Sequence, residues 1–198
     1  GVWTSEQWSG FVEVWKQARD LNQIVIEVFG QAGIQAIAFP PSTFIQSAGS
    51  QPDKVFSAPL ASALQAGLTP VVGGDVVFDS VIGGTIFSTE DVFMALADLI
   101  PPDRVLLCGK DSGVWQDYPA CTQFIPKITP ESYTAFKTAI IGSASVDVTG
   151  GMREKVELML DLIAKHPMAQ VEIFSGEHPD NLYQTILGTS TGTLISNS

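Results

Sequence analysis

The chain has 198 residues, 45% of them hydrophobic, enough to bury the core of one large domain or two small ones. Its 21 acidic residues outnumber 10 basic ones for a formal charge of −11, with no run of lysine or arginine, so neither a nucleic acid nor an anionic membrane surface is an expected partner. Two cysteines, Cys108 in an apolar run and Cys121 in a loop, are too few for a disulfide framework. No stretch approaches the roughly 18 apolar residues of a membrane span, and no signal pattern opens the chain, so a cytoplasmic protein is expected.

In chain order, Ser5 to Gly30 places Phe11, Trp15, Ala18, Leu21, Ile24, Val25, Val28 and Phe29 at helical spacing, which predicts a long helix with one buried stripe closed by glycine. "GIQAIAFPPS" predicts a short buried strand stopped by Pro40 and Pro41, then a loop to Asp53 and a helix from Lys54 to Ala66. "LTPVVGGDVVFD" reads as a buried strand with paired glycines, and "VVFDSVIGGTIFS" as a hairpin around Gly83 and Gly84. A helix follows from Thr89 to Leu99, then the continuous apolar strand "RVLLCG". Lys110 to Pro130 is irregular, with room for small hairpin strands. Helices are expected at Pro130 to Ile140, Gly151 to Ala164 and Pro179 to Leu187, with strands at "QVEIFSG" and "GTLIS". Buried strands alternating with amphipathic helices predict an α/β fold with a mainly parallel sheet between helical layers, in a single domain spanning 1–198.

In such sheets ligands sit past the carboxyl ends of the strands, and "VVGGD", "LLCGKDSG" and "IFSGE" all end strands on glycine. Glycine there lets backbone N–H groups approach an anion closely, although strand-to-helix turns also favour it without any ligand. "DVTGGMREK" carries more. Thr149 can cap a helix whose first N–H groups Gly150 and Gly151 leave open, and Lys155 falls one turn in, able to reach the same anion. An ordinary capped helix with a solvated lysine is the competing reading. His166 and His178 are too far apart in sequence to suggest a metal or triad site, Glu90-Asp91 suits a helix start, and Asp75 after two glycines is the better functional carboxylate, so no metal ligand is assigned.

Taken in order, "PVVGGDVVFD", "GGTIFSTEDVFMALA", "DVTGGMREKVELML" and the terminal "GTLI" resemble the amino acid kinase superfamily and, within it, the isopentenyl phosphate kinase family. The resemblance implies a three-layer αβα sandwich, a homodimer, and transfer of the γ-phosphoryl group of Mg2+-ATP to isopentenyl phosphate for isoprenoid biosynthesis by the alternative mevalonate pathway. On its motifs, Gly73, Gly74, Asp75 and Thr149 are substrate-binding positions. Gly150, Gly151 and Met152 match a loop near the phosphates, and Lys155 matches the catalytic lysine that steadies them. Gly109, Lys110 and Gly113 match the nucleotide-side loop, with Ser175 and Gly176 after the later strand. A prenyl tail slot is expected along Ile24 and Val28 with Phe78 or Phe87.

Two departures from the family pattern stand out. The family's first strand with its lysine and glycine loop, and the following histidine loop, are not in this sequence, so the chain is expected to be N-terminally incomplete, inactive by itself, and to expose apolar surface where that strand belongs. In "GKDSG", Lys110 and Ser112 stand where the superfamily often has acids, so Lys110 would contact phosphate itself. Rival readings are a kinase of another small phosphate or phosphonate, such as a fosfomycin kinase, and a non-catalytic nucleotide-binding or regulatory module of the same fold.

Overall fold

The computed structural model describes residues 1–138, 140 and 151–198, which form two compact units, Gly1–Ile100 and Pro101–Ser198. The first opens with helix α1, Ser5–Gln31. Thr4 caps it reciprocally: its hydroxyl accepts from the Gln7 N–H at 3.2 Å while the Gln7 side chain accepts from the Thr4 N–H at 2.9 Å. The buried stripe expected along α1 is reduced to Phe11, since Leu21, Ile24 and Val28 are 64%, 58% and 55% exposed.

Strand β1, Ala36–Ala38, is followed by a short 3-10 turn at Pro41–Thr43. The predicted loop before Asp53 is instead a hairpin of β2, Ile45–Ala48, and β3, Gln51–Val55. Its two-residue turn places Gly49 and Ser50 at φ of 60° and 65°, the doubly left-handed geometry that matches strand twist. Helix α2 is correspondingly shorter than predicted, Ala58–Gln65. Strand β4, Thr69–Val71, pairs in parallel with β1. Strands β5, Asp75–Asp79, and β6, Gly83–Phe87, form the predicted hairpin, with its turn at Ser80 to Ile82 just before the glycines. The sheet order is β3-β2-β5-β6, with β2 and β5 parallel. Helix α3, Thr89–Ala97, starts at a Ser88/Asp91 capping box. The core gathers Phe44, Ile45, Leu60, Val77, Phe87 and Val92.

One carboxylate organises the loops of this sheet. Asp79 accepts from the N–H groups of Gly49, Ser50, Val81 and Ile82 and from the Ser47 hydroxyl, at 2.8 to 3.0 Å. Burial alone would raise its pKa, but these donors together hold it well below the usual carboxylate range.

In the second unit, β7, Arg104–Gly109, is the predicted apolar strand. The irregular segment after it carries β8, Val114–Trp115, β9, Phe124–Ile125, and β10, Lys127–Ile128. Helix α4 covers Pro130–Phe136, short of the predicted Ile140. Helix α5, Gly151–Lys165, buries Met152, Val156, Met159, Leu162 and Ile163, spaced three and four apart as a core-facing stripe requires. Then come β11, Gln170–Ser175, α6, Asn181–Ile186, and β12, Thr193–Ile195. The sheet order is β10-β12-β11-β7, with β12 antiparallel to β11 and parallel to β10, and β7 parallel to β11. The Thr193 hydroxyl accepts from the Val114 N–H at 2.8 Å and donates to the Ile125 carbonyl at 2.6 Å, joining β12 to the β8/β9 pair. The expected α/β class is what the chain forms, with parallel and antiparallel pairs in its four-stranded sheets.

Candidate functional site

In the first unit the parallel pair β1 and β4 ends at Ala38 and Val71, and the chain beyond both ends borders a cleft of about 280 Å³. This is where open α/β sheets bind ligands. Its walls are Trp15, Ala18, Arg19, Asn22 and Gln23 from α1, Ala38, Pro40 and Pro41 from the β1 exit, and Gly73, Gly74 and Asp75. Three predicted substrate positions therefore share one cavity. The backbone there is tight: a Cβ on Gly74 would stand 3.1 Å from the Phe87 carbonyl oxygen and 3.3 Å from the Thr89 N, and the Gly74 N–H donates to the Thr89 hydroxyl at 3.2 Å.

Asp75 is 4% exposed. One carboxylate oxygen accepts from the Val76 N–H at 2.8 Å and the other from the Ser42 hydroxyl at 3.2 Å. Desolvation outweighs these bonds and pushes its pKa upward, so the proton is held more readily than on a free carboxylate.

The residues expected to wall a prenyl slot lie elsewhere. Ile24 and Val28 are exposed, Phe87 is in the core, and Phe78 packs with Trp8 and Phe11, ring centroids 6.2 and 5.1 Å away. Helical phase keeps Ile24 away from this cleft: it is nine positions from Trp15, about half a turn out of register, whereas Ala18, Arg19, Asn22 and Gln23 share the Trp15 face. Arg19 holds its guanidinium 5.6 Å from the Trp15 ring centroid, a cation–π arrangement. Trp15 and Ala18 were legible as part of a helix stripe but not as a site, Arg19 and Asn22 were not singled out, and Ser42 carried no sequence signal at all.

In the second unit, the carboxyl ends of β7 and β11 are locked side by side. Gly109 is in register with Ser175, and the Gly176 N–H donates to the Gly109 carbonyl at 2.8 Å. A Cβ at Gly176 would stand 2.6 Å from the Cys108 sulfur, so a side chain there would require that thiol to move. Lys110 stands exposed just beyond Gly109. Ser175 is buried; its hydroxyl accepts from the Glu177 N–H at 3.1 Å and its carbonyl from the Asn181 side chain at 3.1 Å. Gly113 is placed differently, buried where a Cβ would strike the Thr193 hydroxyl and the Phe124 ring, and packing accounts for it.

At the start of α5, Gly151 has a φ of 72° and open space around it, Met152 is in the core, and Lys155 is half-buried. The predicted Thr149 and Gly150 lie outside the described residues. Among the described residues no group of three or more His, Cys, Asp or Glu side chains could hold a metal ion, and no helix is long and apolar enough to cross a membrane. A magnesium ion on a nucleotide needs fewer protein ligands than that, because phosphate oxygens and waters complete its shell beside one or two carboxylates.

Comparison with known proteins supplies the family. The pattern of the amino acid kinase family matches residues 5–175. An isopentenyl phosphate kinase of Methanocaldococcus jannaschii is 30% identical over 188 residues, covering 94% of this chain and 67% of that protein. One of Haloferax volcanii is 34% identical over 178 residues, covering 88% of this chain and 65% of that protein. The chain thus spans about two thirds of the length of these curated relatives. A solved isopentenyl phosphate kinase structure superposes with a TM-score of 0.79 at 23% identity, over 98% of this chain and 74% of its own.

Proposed function

Because this chain belongs to the amino acid kinase family, we propose that it works as an ATP-dependent phosphotransferase whose acceptor is isopentenyl phosphate and whose product is isopentenyl diphosphate. The observation that supports this most directly is the cleft at Gly73, Gly74 and Asp75. It is small, walled by Trp15, Ala18, Ala38, Pro40 and Pro41, and bordered by a glycine turn, which suits a short branched hydrocarbon carrying a phosphate. In this reading the turn receives the acceptor phosphate, with the buried Asp75 carboxyl bordering the same cleft. Lys155 and the N–H groups that open α5 neutralise the nucleotide phosphates, and Lys110, Ser175 and Gly176 border the nucleotide from the β7 and β11 exits. Magnesium, when bound with ATP, adds charge neutralisation on the phosphates.

The chemistry asks for little beyond this. Phosphoryl transfer proceeds through a state in which charge spreads over the transferred oxygens, so cations and backbone N–H groups held in place do most of the work and no covalent nucleophile is required. The protein acts in the cytoplasm as a homodimer on this reading, in isoprenoid biosynthesis.

One observation favours a second acceptor of the same class. Arg19 and Asn22 line the cleft beside its apolar walls, and a small phosphonate with a polar body, such as fosfomycin, would pair with them where a hydrocarbon would not. ADP release by the full-length protein, measured with each acceptor in turn, decides between them. Isopentenyl phosphate is expected to give the higher kcat/KM, and Lys155→Ala to abolish it by at least on the order of a hundredfold. Turnover unchanged in that variant, or no turnover with either acceptor, refutes the reading.

A further inference from the structure

Lys155 sits on α5 between Arg153 and Glu157, which tie the helix to Ile140 and to Tyr133 of α4. Apolar packing of Met152, Val156, Met159 and Ile163 decides which face of α5 is buried, but such contacts are weakly directional and leave rotation and height loosely set. Directional bonds remove that freedom. In the first turn the Arg153 Nε donates to the Ile140 carbonyl at 3.0 Å. In the second, the Tyr133 hydroxyl donates to Glu157 Oε1 at 2.8 Å, and Lys137 Nζ lies 3.2 Å from the same oxygen. Lys137 also stands 5.9 Å from the Tyr133 ring centroid. Tyr133 and Lys137 are four apart on one helix segment, as are Arg153 and Glu157 on the other, so each pair projects from one side.

The parts differ in weight. Lys137 and Glu157 are 60% and 37% exposed, and an ion pair so open to water contributes little by itself. The Tyr133 ring is 8% exposed, so its hydroxyl is presented from a packed position to a charged acceptor, the stronger kind of hydrogen bond. A phenol here needs that partner, and a phenylalanine would have filled the core equally well.

We propose that Tyr133 and Glu157 are positioning residues for the nucleotide end of the reaction, fixing α5 so that Lys155 meets the phosphates at a defined place. The inference rests on the reading of Lys155 given above. A displacement of about 1 Å in a charge-neutralising group is enough to cost a large part of its effect on the transition state. Nothing in the acceptor cleft depends on these residues, since its walls belong to other elements.

Kinetics of the full-length protein with ATP and isopentenyl phosphate varied separately test it. Tyr133→Phe and Glu157→Ala are each expected to lower kcat/KM for ATP about fivefold, the equivalent of one hydrogen bond, with KM for the acceptor unchanged. Glu157→Gln keeps an oxygen for the phenol and recovers most of the loss. In a Lys155→Ala background, Tyr133→Phe has no further effect on ATP, because the group it positions is gone. A Tyr133→Phe variant that melts earlier with unchanged kinetics, or that shifts kcat/KM equally in both backgrounds, overturns the proposal and leaves the Lys155 reading standing. A kinetically silent Lys155→Ala refutes that reading, and the proposal with it.

Discussion

Replacing Asp75 by asparagine and by alanine should separate what its carboxyl does for the fold from what it does for the acceptor. Asparagine keeps an oxygen for the Val76 N–H and offers an amide that the Ser42 hydroxyl can turn to accept; alanine loses both bonds, 2.8 and 3.2 Å long in the native protein. At about 1 kcal/mol per bond, Asp75→Ala should be less stable by about 2 kcal/mol, a fall in melting temperature of roughly 4–8 °C for a chain of this size. Asp75→Asn should match or exceed the native protein at pH 7. The sign follows from the raised pKa: the folded chain binds this proton more tightly than the unfolded one. Stability attached to the group is therefore lost as pH rises from the ordinary carboxylate range, about 3.9, through the folded value, and an amide has no charge to desolvate. The same logic applies to binding. Asparagine cannot titrate, so the pH dependence of its KM for isopentenyl phosphate should lack whatever the Asp75 carboxyl contributes to the native profile. The acceptor phosphate titrates in both proteins, and the difference between the profiles isolates Asp75. If the asparagine variant reproduces the native pH dependence, another group is titrating; if it melts as early as the alanine variant, the carboxylate is a structural strut and the reasoning fails.

Two further outcomes are expected. Asp79 is held below the ordinary carboxylate range by its N–H donors, so its contribution to stability is present above about pH 4 and lost as pH falls through the folded value; urea unfolding of Asp79→Asn should show a shallower acid limb than the native protein, and an unchanged limb would assign acid sensitivity elsewhere. Ala18→Phe places a ring in the cleft of about 280 Å³ and should raise the acceptor KM on the order of tenfold while sparing KM for ATP; equal effects on both substrates would mean that the cleft is not the acceptor's.

The elements most legible in the sequence were those whose pattern has one physical meaning. "RVLLCG" and "QVEIFS" are continuous apolar runs, and they are the paired strands β7 and β11. The helices read as starting at Ser5 and at Thr89, the second marked by Glu90-Asp91, begin at those residues. The β2/β3 hairpin was missed because its strands are polar: Ser47 is buried by bonding to Asp79, not by being apolar, and Lys54 and Asp53 lie on an exposed edge. Its Gly49-Ser50 turn was the available signal. Strand-end glycine singled out Gly73, Gly74 and Asp75, whereas the α1 face that borders the same cleft was not singled out. Apolar character pointed to Ile24 and Val28, and the cleft took the face carrying Trp15, Ala18, Arg19 and Asn22.

The place of β12 in its sheet has a bearing on the order of events during synthesis. All the paired strands of the first unit have been made once Phe87 leaves the ribosome, and that unit can begin to fold while the rest is still being translated. The second unit has no such head start. Residues Thr193–Ile195 lie between β10 and β11, and a Thr193 hydroxyl closes the bonds of Val114 and Ile125, so strands made up to some eighty residues earlier wait for it. Until then β10 and β11 present open edges to any other chain nearby, and the interval before β12 emerges is when this unit most needs a chaperone.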